Sequence, residues 1–486
     1  MAQNKKVVGI DFGTTTSAIG IVKNGVPFLF EVDDGEVMMP SVVAFGKGGE
    51  IIVGQKAKKQ AVLNPEKTFS SVKRRMGEKE TVNTGVGDWP LEQIGAEILK
   101  KLKSEAERHL GHPVTDAVIT VPAYFNQFQR KAVQEVGKLA GLNVLRIINE
   151  PTAAAMAYGL NQHDEQSVMV FDFGGGTFDV SVLTIADGVF EVKATGGDNM
   201  LGGDDIDQML IDKVVADFKN DHGIDLTQDK MAMQKLKDEA EKLKIALSNA
   251  DSARLNIPFI TADKHGPIHI DKTFTQAQME QMTVTLVNKV IRLAKDTLKK
   301  SGLDNNTLDK ILLAGGSTRI PAVRDAIIEH FGDKTLGGVN PLECIALGAS
   351  VQAAILGGQV EDTVLLDITP LSLGLEIEGG SAEEIIPANA TIPVSYKKVF
   401  STVADNQTEV EIKVLQGNSN RAAENVTLGR FILGGIELAK KGEPKVEVEF
   451  DINVDGIMNV RARDTKTGAA RSVTIDRGIV DKRKTA

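Results

Sequence analysis

Cysteine is almost absent from this 486-residue sequence, with Cys344 the only one. No internal disulfide can form, which excludes a disulfide-stapled secreted scaffold and fits a reducing cytoplasm. The seven histidines show no metal-ligand spacing, and His265 with His269 alone is a weak pair, so a structural zinc protein is disfavoured. Basic charge is short as well. The 56 Lys+Arg stand against 66 Asp+Glu, a formal charge of −10, and no basic patch argues for nucleic acid. No run of about 18 apolar residues could span a bilayer. The opening MAQNKKVVGIDFG carries no apolar signal core, so neither secretion nor a membrane role is expected. Neither G-x₄-G-K-[ST] nor GxGxxG occurs, which leaves P-loop and dinucleotide chemistry without support. No Ser-His-Asp or Cys-His arrangement can be placed.

Glycine, by contrast, is plentiful at 47 residues, and it sits at the ends of apolar β-type runs rather than in linkers. Val7 to Thr16 reads as a strand and a tight polar turn, and Ser17 to Val22 returns. Val168 to Thr177 and Phe178 to Leu183 repeat the pattern. At an offset of 161 residues, Val7 matches Val168, Asp11 Asp172, Phe12 Phe173, Gly13 Gly174 and Thr16 Thr177. The matches fall on the Asp, Gly and Thr of the turn, which points to a duplicated lobe with two facing loops.

Helical patterns punctuated by Pro and Gly lie between and after these hairpins. Leu91 to Leu110 follows Trp89-Pro90, Gln129 to Ala140 ends at Gly141, and Glu150-Pro151 opens an Ala-rich helix ending at Gly159. Met231 to Asn249 places Met233, Leu236, Ala240, Leu243 and Leu247 on one face. Lys310 to Pro321 is a strand, a glycine turn and a helix start. Alternating strands and helices over 1–358 predict an α/β region. Residues 359–367 read as a connector. Beyond it the period becomes two, as in Val446, Val448, Phe450 and Ile452 alternating with Glu447, Glu449 and Asp451. Such hairpin density predicts an antiparallel β-sandwich over 368–475, followed by a charged tail over 476–486.

Phosphate oxygens need close backbone N–H donors, which glycine allows, and hydroxyls that rotate to suit. Gly13-Thr14-Thr15 and Gly174-Gly175-Gly176-Thr177 supply both, twice. Asp11 and Asp172 end their strands where a carboxylate can face a hydrated Mg²⁺ through water. Either loop alone is equally a hairpin turn, and the pairing favours the phosphate reading. Glu150 could hold water or metal, or be a helix-start charge satisfied by the macrodipole. Lys73-Arg74-Arg75 is a basic cluster of the kind usually solvated. Glu241, Lys244 and Ser248 share a helix face, for which surface pairing is an adequate account. Gly315 to Arg319 is either an anion or base site or a tight strand–helix turn.

Together these residues carry a resemblance. GIDFGTTTS, ITVPAYFNQFQR, IINEPTAAAMAYG, VFDFGGGTFDVSVL, GGDNMLGGDDID, LLAGGSTRIP and LLDITPLSLG resemble the seventy-kilodalton heat-shock chaperones of the DnaK type, in order from Val7 to about Ile475. The resemblance implies a two-lobed actin-like ATPase joined by a linker to a sandwich that clasps extended polypeptide. Asp11, Thr14, Thr15, Asp172, Gly174 to Thr177 and Asp179 would surround the phosphates and Mg²⁺, with K⁺ a further candidate. Lys73 would stabilise the transferring phosphoryl group, and Glu150 would orient the water shell. Glu241, Lys244 and Ser248 would hold adenosine with Gly315, Gly316, Ser317 and Arg319. Pro122 and Arg130 resemble the relay between nucleotide state and the peptide domain, and Val364, Leu365, Leu366 and Asp367 resemble the linker. Leu375, Phe400, Val403, Val410 and Ile412 fall in the peptide-binding region, although all but Val403 also read as sandwich core. Unfolded polypeptide, a J-domain co-chaperone and a nucleotide-exchange factor are the implied partners.

The sequence departs from the family pattern at several points. Leu342 stands where many members carry Asp near the nucleotide, and Ile245 where some carry Arg. Glu378 and Val403 replace the usual residues of the arch over the peptide. The connector is one apolar residue short, and the chain ends where a helical lid is expected. Two rival classes stay open. A small-molecule kinase of the actin-like fold is opposed by the β-region after Asp367. A nucleotide-holding relative with little turnover is opposed by Lys73, Glu150, Asp172 and Thr177 and favoured by Leu342.

Overall fold

The computed structural model describes residues 6–159, 164–338, 340–360 and 363–474. The expected tail over 476–486 lies outside the described residues, as do 361 and 362 of the connector.

Two sheets repeat one plan. In the first, Val8–Phe12, Thr16–Lys23 and Val26–Leu29 form an antiparallel meander, and Asp116–Val121 and Asn143–Asn149 add in parallel beside Val8–Phe12. In the second, Gln166–Phe173, Phe178–Ala186 and Val189–Asp198 form the same meander, with Lys310–Ala314 parallel to its first strand. The first strand of each meander is flanked on both sides, so its residues are buried on both faces and read as unbroken apolar runs. The weak internal repeat in the sequence is therefore a repeat of sheet plan.

Each sheet has its own core, and a third core lies between them. Helices Glu150–Gly159 and Cys344–Leu356 supply Ala153, Ala154, Val351 and Ala353 to it, together with Val118 from the first sheet and Leu312 from the second. Both helices are apolar on nearly every face because both are enclosed. Their crossing is close enough that a Cβ on Gly348 would lie 1.6 Å from the Ala153 carbonyl oxygen, so only glycine fits. The Lys230–Leu247 helix begins at Asp229, whose carboxylate accepts from Met231 N and Ala232 N. It buries Ala232, Leu236, Ala240, Leu243 and Leu247, with the expected Met233 half-buried beside them.

Beyond residue 368 the chain forms two four-stranded antiparallel sheets. One runs Ser381–Ile386, Leu373–Ile377, Glu409–Gln416 and Val426–Gly434. The other runs Val394–Ser401, Lys445–Ile452, Met458–Asp464 and Ala470–Thr474. Val446, Val448, Phe450 and Ile452 enter one core with Leu373, Ile412 and Val414, and the acidic residues alternating with them face outward.

The connector differs from expectation. Val364–Ile368 is a strand, parallel to Val189–Glu191 at the edge of the second sheet and antiparallel to Thr391–Ile392. An apolar run beside an open edge completes the ladder of N–H and C=O groups there, a tertiary partner the local sequence does not reveal. The later sheets also meet the first lobe. Gln127 donates its backbone N–H to Gln416 Oε1 (3.1 Å) and Nε2 to the Gly456 carbonyl (2.6 Å), and its Oε1 accepts from Met458 N (3.0 Å). Asp455 Oδ1 accepts from Ile147 N at 3.1 Å, with the Arg146 guanidinium 3.6 Å away.

Candidate functional site

The two glycine turns face each other at the base of a cleft of about 340 Å³. A Cβ on Gly175 would lie 2.2 Å from Thr15 Cγ2, and one on Gly176 would lie 2.4 Å from Thr14 Cγ2. The facing loops therefore pack with no room for a side chain at Gly175 or Gly176. The two turns are not identical in detail. Gly13 N donates to Ser17 Oγ (3.2 Å), whereas Gly174 N donates to the Thr177 carbonyl (3.1 Å).

Asp11, Asp172 and Glu150 line the floor, with Lys73 and Asp179 buried behind it. Lys73 lies on the short turn Val72–Arg75, only 1% exposed, ion-paired to Glu150 Oε1. Its ammonium is 5.6 Å from the centre of the Phe12 ring and 6.0 Å from that of Phe125. Asp11 accepts from Thr120 Oγ1 at 2.9 Å. Burial and the nearby Glu150 carboxylate push the Asp11 carboxyl up to about 7, against the pull of Lys73 and Thr120. Asp172 is raised well above the usual carboxylate range by burial and by Glu150, Asp179 and Asp11. Burial and Glu150 push Asp179 up to about 8, although its Oδ1 accepts from Tyr124 N; its Oδ2 is buried with no hydrogen-bond partner.

This donor set fits a hydrated divalent cation. Negative charge is in excess and held out of water, a condition a cation relieves. Among the described residues no three His, Cys, Asp or Glu side chains converge closely enough to hold an ion directly.

At the far end the Lys230–Leu247 helix supplies Glu241 and Lys244, with Ser248 as its C-terminal cap. Lys244 Nζ donates to Asp207 Oδ2 (2.7 Å) and the Gly203 carbonyl (3.1 Å). Burial nonetheless raises Asp207 to about 6. Glu241 pairs with Lys58 at 2.5 Å, and Ser248 Oγ donates to the Lys244 carbonyl at 2.9 Å. Opposite, Gly315, Gly316, Ser317 and Arg319 form the other wall, where Ser317 Oγ donates to the Gly174 carbonyl (2.9 Å). Every residue assigned to phosphate or adenosine lines this cleft except Lys73, enclosed behind Glu150, and Asp179, behind the phosphate turn.

Residues missed by the sequence reading close the cleft across the two lobes. Arg74 Nε donates to the Gly176 carbonyl (2.7 Å) and Nη2 to Asp205 Oδ2 (2.6 Å), while Ser71 Oγ donates to Asp204 Oδ2 (2.7 Å). Arg74 was visible only as part of a basic triplet, and Lys58 carried no signal in the sequence. Their partners lie over a hundred residues away. Asn149 was also missed. Its Nδ2 donates to Asp367 Oδ2 (2.9 Å), and its Oδ1 accepts from Arg130 Nη2 (2.7 Å). Arg130 further donates to the Ala123 carbonyl at 2.9 Å and the Phe125 carbonyl at 3.3 Å. Burial draws its guanidinium below the ordinary value and lifts Asp367 above it. Pro122 is buried, and its carbonyl accepts from Phe125 N.

Leu375, Phe400, Val410 and Ile412 belong to the core shared by the last two sheets, Leu375 and Ile412 buried and the others half-buried. Val403 stands apart at 49% exposed, and Glu378 is exposed. In the connector Val364 and Leu366 are exposed, Leu365 packs on the central core, and Asp367 is buried. Leu342 and Ile245 both line the cleft. Among the described residues no helix is long and apolar enough to cross a membrane. The family model described as Hsp70 protein matches residues 7–92 and 79–485, spans that include both glycine turns, Lys73, the cleft helix, the connector and the last two sheets. The chain belongs to the Hsp70 family, whose members are ATP-dependent chaperones binding ATP and ADP with Mg²⁺.

Proposed function

We propose that this chain is a DnaK-type chaperone of the cytoplasm in which an actin-like ATPase of residues 1–358 controls a β-sandwich of residues 368–475. The observation that carries the coupling is a continuous set of contacts. Lys73 lies against the Phe125 ring, Arg130 holds the Phe125 carbonyl and Asn149, and Asn149 holds Asp367 of the connector strand. A change at the cleft floor is thus in physical contact with the segment that joins the two regions.

In the chemical step, phosphoryl transfer to water needs positioning and charge stabilisation more than a covalent catalyst. Thr14, Thr15 and the Gly174–Thr177 turn bind the phosphates through N–H and hydroxyl donors. Lys73, fixed by Glu150 and by two aromatic rings, sets one cation behind the cleft floor, where it stabilises the transferring group. Glu150 orients the attacking water and, with Asp11 and Asp172, the water shell of Mg²⁺. When bound, Mg²⁺ supplies positive charge that neutralises the phosphate oxygens. The buried Asp179 carboxyl has an unpaired oxygen beside this floor and can hold a proton near neutral pH.

Docking of the connector strand on the second sheet defines one arrangement of the two regions, and ATP and ADP favour docked and undocked forms differently. The Leu375, Phe400, Val410 and Ile412 cluster opens to extended Leu- or Ile-rich segments through β-like edge contacts. A J-domain partner and an exchange factor serve hydrolysis and release. Single-turnover ATP hydrolysis with and without an unfolded apolar peptide tests the reading. Peptide should raise the rate, and Val410→Phe should abolish peptide binding while basal hydrolysis persists. No stimulation by peptide would remove the coupled-chaperone reading and leave the nucleotide-holding alternative.

A further inference from the structure

The turn that carries Lys73 is tied to the opposite lobe by residues on either side of the lysine. Ser71, just before Val72–Arg75, has left-handed backbone (φ 54°, ψ 26°), a conformation that residues other than glycine seldom adopt. Its Oγ donates to Asp204 Oδ2 at 2.7 Å, so the strained residue is held by the other lobe. Arg74 Nε donates to the Gly176 carbonyl at 2.7 Å and Nη2 to Asp205 Oδ2 at 2.6 Å, with the side chain only 12% exposed. These acceptors belong to one unit. Asp205 Oδ2 also accepts from Gly202 N (2.7 Å), Gly203 N donates to the Gly174 carbonyl (3.0 Å), and Asp204 N donates to the Gly175 carbonyl (2.8 Å). A Cβ on Gly202 would lie 2.3 Å from the Gly175 oxygen, so the helix Gly203–His222 starts directly on the phosphate turn.

Lys73 itself is anchored elsewhere, to Glu150 and beside the Phe12 and Phe125 rings. Its register with the Gly174–Thr177 turn is therefore set through its neighbours. Successive Cα atoms are 3.8 Å apart, so a backbone held at residues 71 and 74 leaves residue 73 little freedom to drift. The planar guanidinium fork holds a carbonyl and a carboxylate at once, a task for which the single ammonium of lysine is poorly shaped. We infer that Arg74 is a positioning residue for phosphoryl transfer, which with Ser71 couples closure of the two lobes to the placement of Lys73. When the lobes part, Gly176 and Asp205 leave Arg74, and the lysine loses its register with the group it stabilises. A misplacement of about 1 Å can lower a rate by about 10². The inference rests on the role given to Lys73 above and adds the residue through which lobe closure governs that role.

Single-turnover hydrolysis at saturating ATP and calorimetric titration with ADP in excess Mg²⁺, both on the full chain, test the inference. Arg74→Met should slow hydrolysis by about 10–10² even at saturation, because placement and not occupancy is lost. The double variant Lys73→Met/Arg74→Met should be no slower than Lys73→Met alone, since Arg74 acts through the lysine. Arg74→Lys keeps the charge without the fork and should stay slow. Hydrolysis at the parent rate in Arg74→Met overturns the inference. Weakened ADP binding with a normal rate at saturation does so too, because Arg74 would then only hold the lobes shut. A further loss in the double variant overturns it by making Arg74 independent of Lys73, and full recovery in Arg74→Lys overturns it by leaving charge as the cause. Urea midpoints check that the variants fold, and Arg74→Gln repeats the test with a shorter polar side chain. A parent rate in Lys73→Met removes the role of the lysine and this inference with it. Slow Lys73→Met beside normal Arg74→Met removes the inference alone.

Discussion

Replacing Lys73 by Met separates charge from packing at the cleft floor. Methionine keeps the apolar stem against Phe12 and Phe125 and deletes the ammonium that pairs with Glu150. Both partners are nearly enclosed, Lys73 at 1% and Glu150 at 6% exposure, so Glu150 is left as an uncompensated buried charge. Removing one member of such a pair costs about 3–5 kcal/mol of stability. Asp11, Asp172 and Asp179 each lose the cation that draws them toward ionisation, so their protons are held more firmly still. Hydrolysis should fall by about 10²–10³, the usual loss for one preorganised donor at developing charge. Urea midpoints of the nucleotide-free chain and single-turnover ATP hydrolysis measure the two effects. The double variant Lys73→Met/Glu150→Gln supplies the discrimination. With both charges gone, most of the lost stability should return, because no unpaired ion remains, while turnover should stay depressed. Turnover at the parent rate in Lys73→Met would refute the catalytic assignment. So would recovery of turnover together with stability in the double variant, since the lysine would then be a structural counter-ion only.

Other perturbations test neighbouring parts of the argument. Gly175→Ala drives a methyl group into Thr15 and should weaken ADP binding by about tenfold or more, about 1.4 kcal/mol, with the far end of the cleft unaltered. Asn149→Ala removes the residue that joins Arg130 to Asp367, leaving a buried carboxylate short of a donor. Limited proteolysis within 359–367 should accelerate, and an unchanged cleavage rate would mean that the connector strand is held by its backbone ladder alone. Asp179→Asn keeps the acceptor for Tyr124 N but cannot ionise. Asp179 titrates near 8 in the folded chain against 3.8 when unfolded, so folding favours its protonated form. Its contribution is full at low pH and is lost as pH rises between those values. The variant should therefore gain urea resistance relative to the parent between pH 5 and pH 8 in the absence of Mg²⁺, and midpoints moving in parallel would refute the assignment.

Much of the cleft was legible because glycine and aspartate in strand-end turns report local constraints. The tight turns of Gly13 and Gly174, the helix stripe of Leu236, Ala240, Leu243 and Leu247, and the alternation of Val446 to Ile452 each follow from short-range geometry. The Asp, Gly and Thr matches at an offset of 161 announced two equivalent lobes, because the same chemistry needs the same turn twice. Glu150 and Lys73 were open as individual residues and became interpretable only through the resemblance.

What the sequence by itself determined is the inventory: two polar turns on apolar strands, a cleft helix, an alternating β-region, and no cysteine framework or basic surface. Tertiary structure alone decided the pairings. Lys73 meets Glu150, Arg74 meets Asp205, Lys58 meets Glu241, and Asn149 meets Asp367. It also turned the connector into a sheet strand, since an open edge recruits whichever apolar segment is held beside it. Ion pairs and edge ladders leave no periodic trace, because their partners are set by how the lobes close rather than by spacing along the chain.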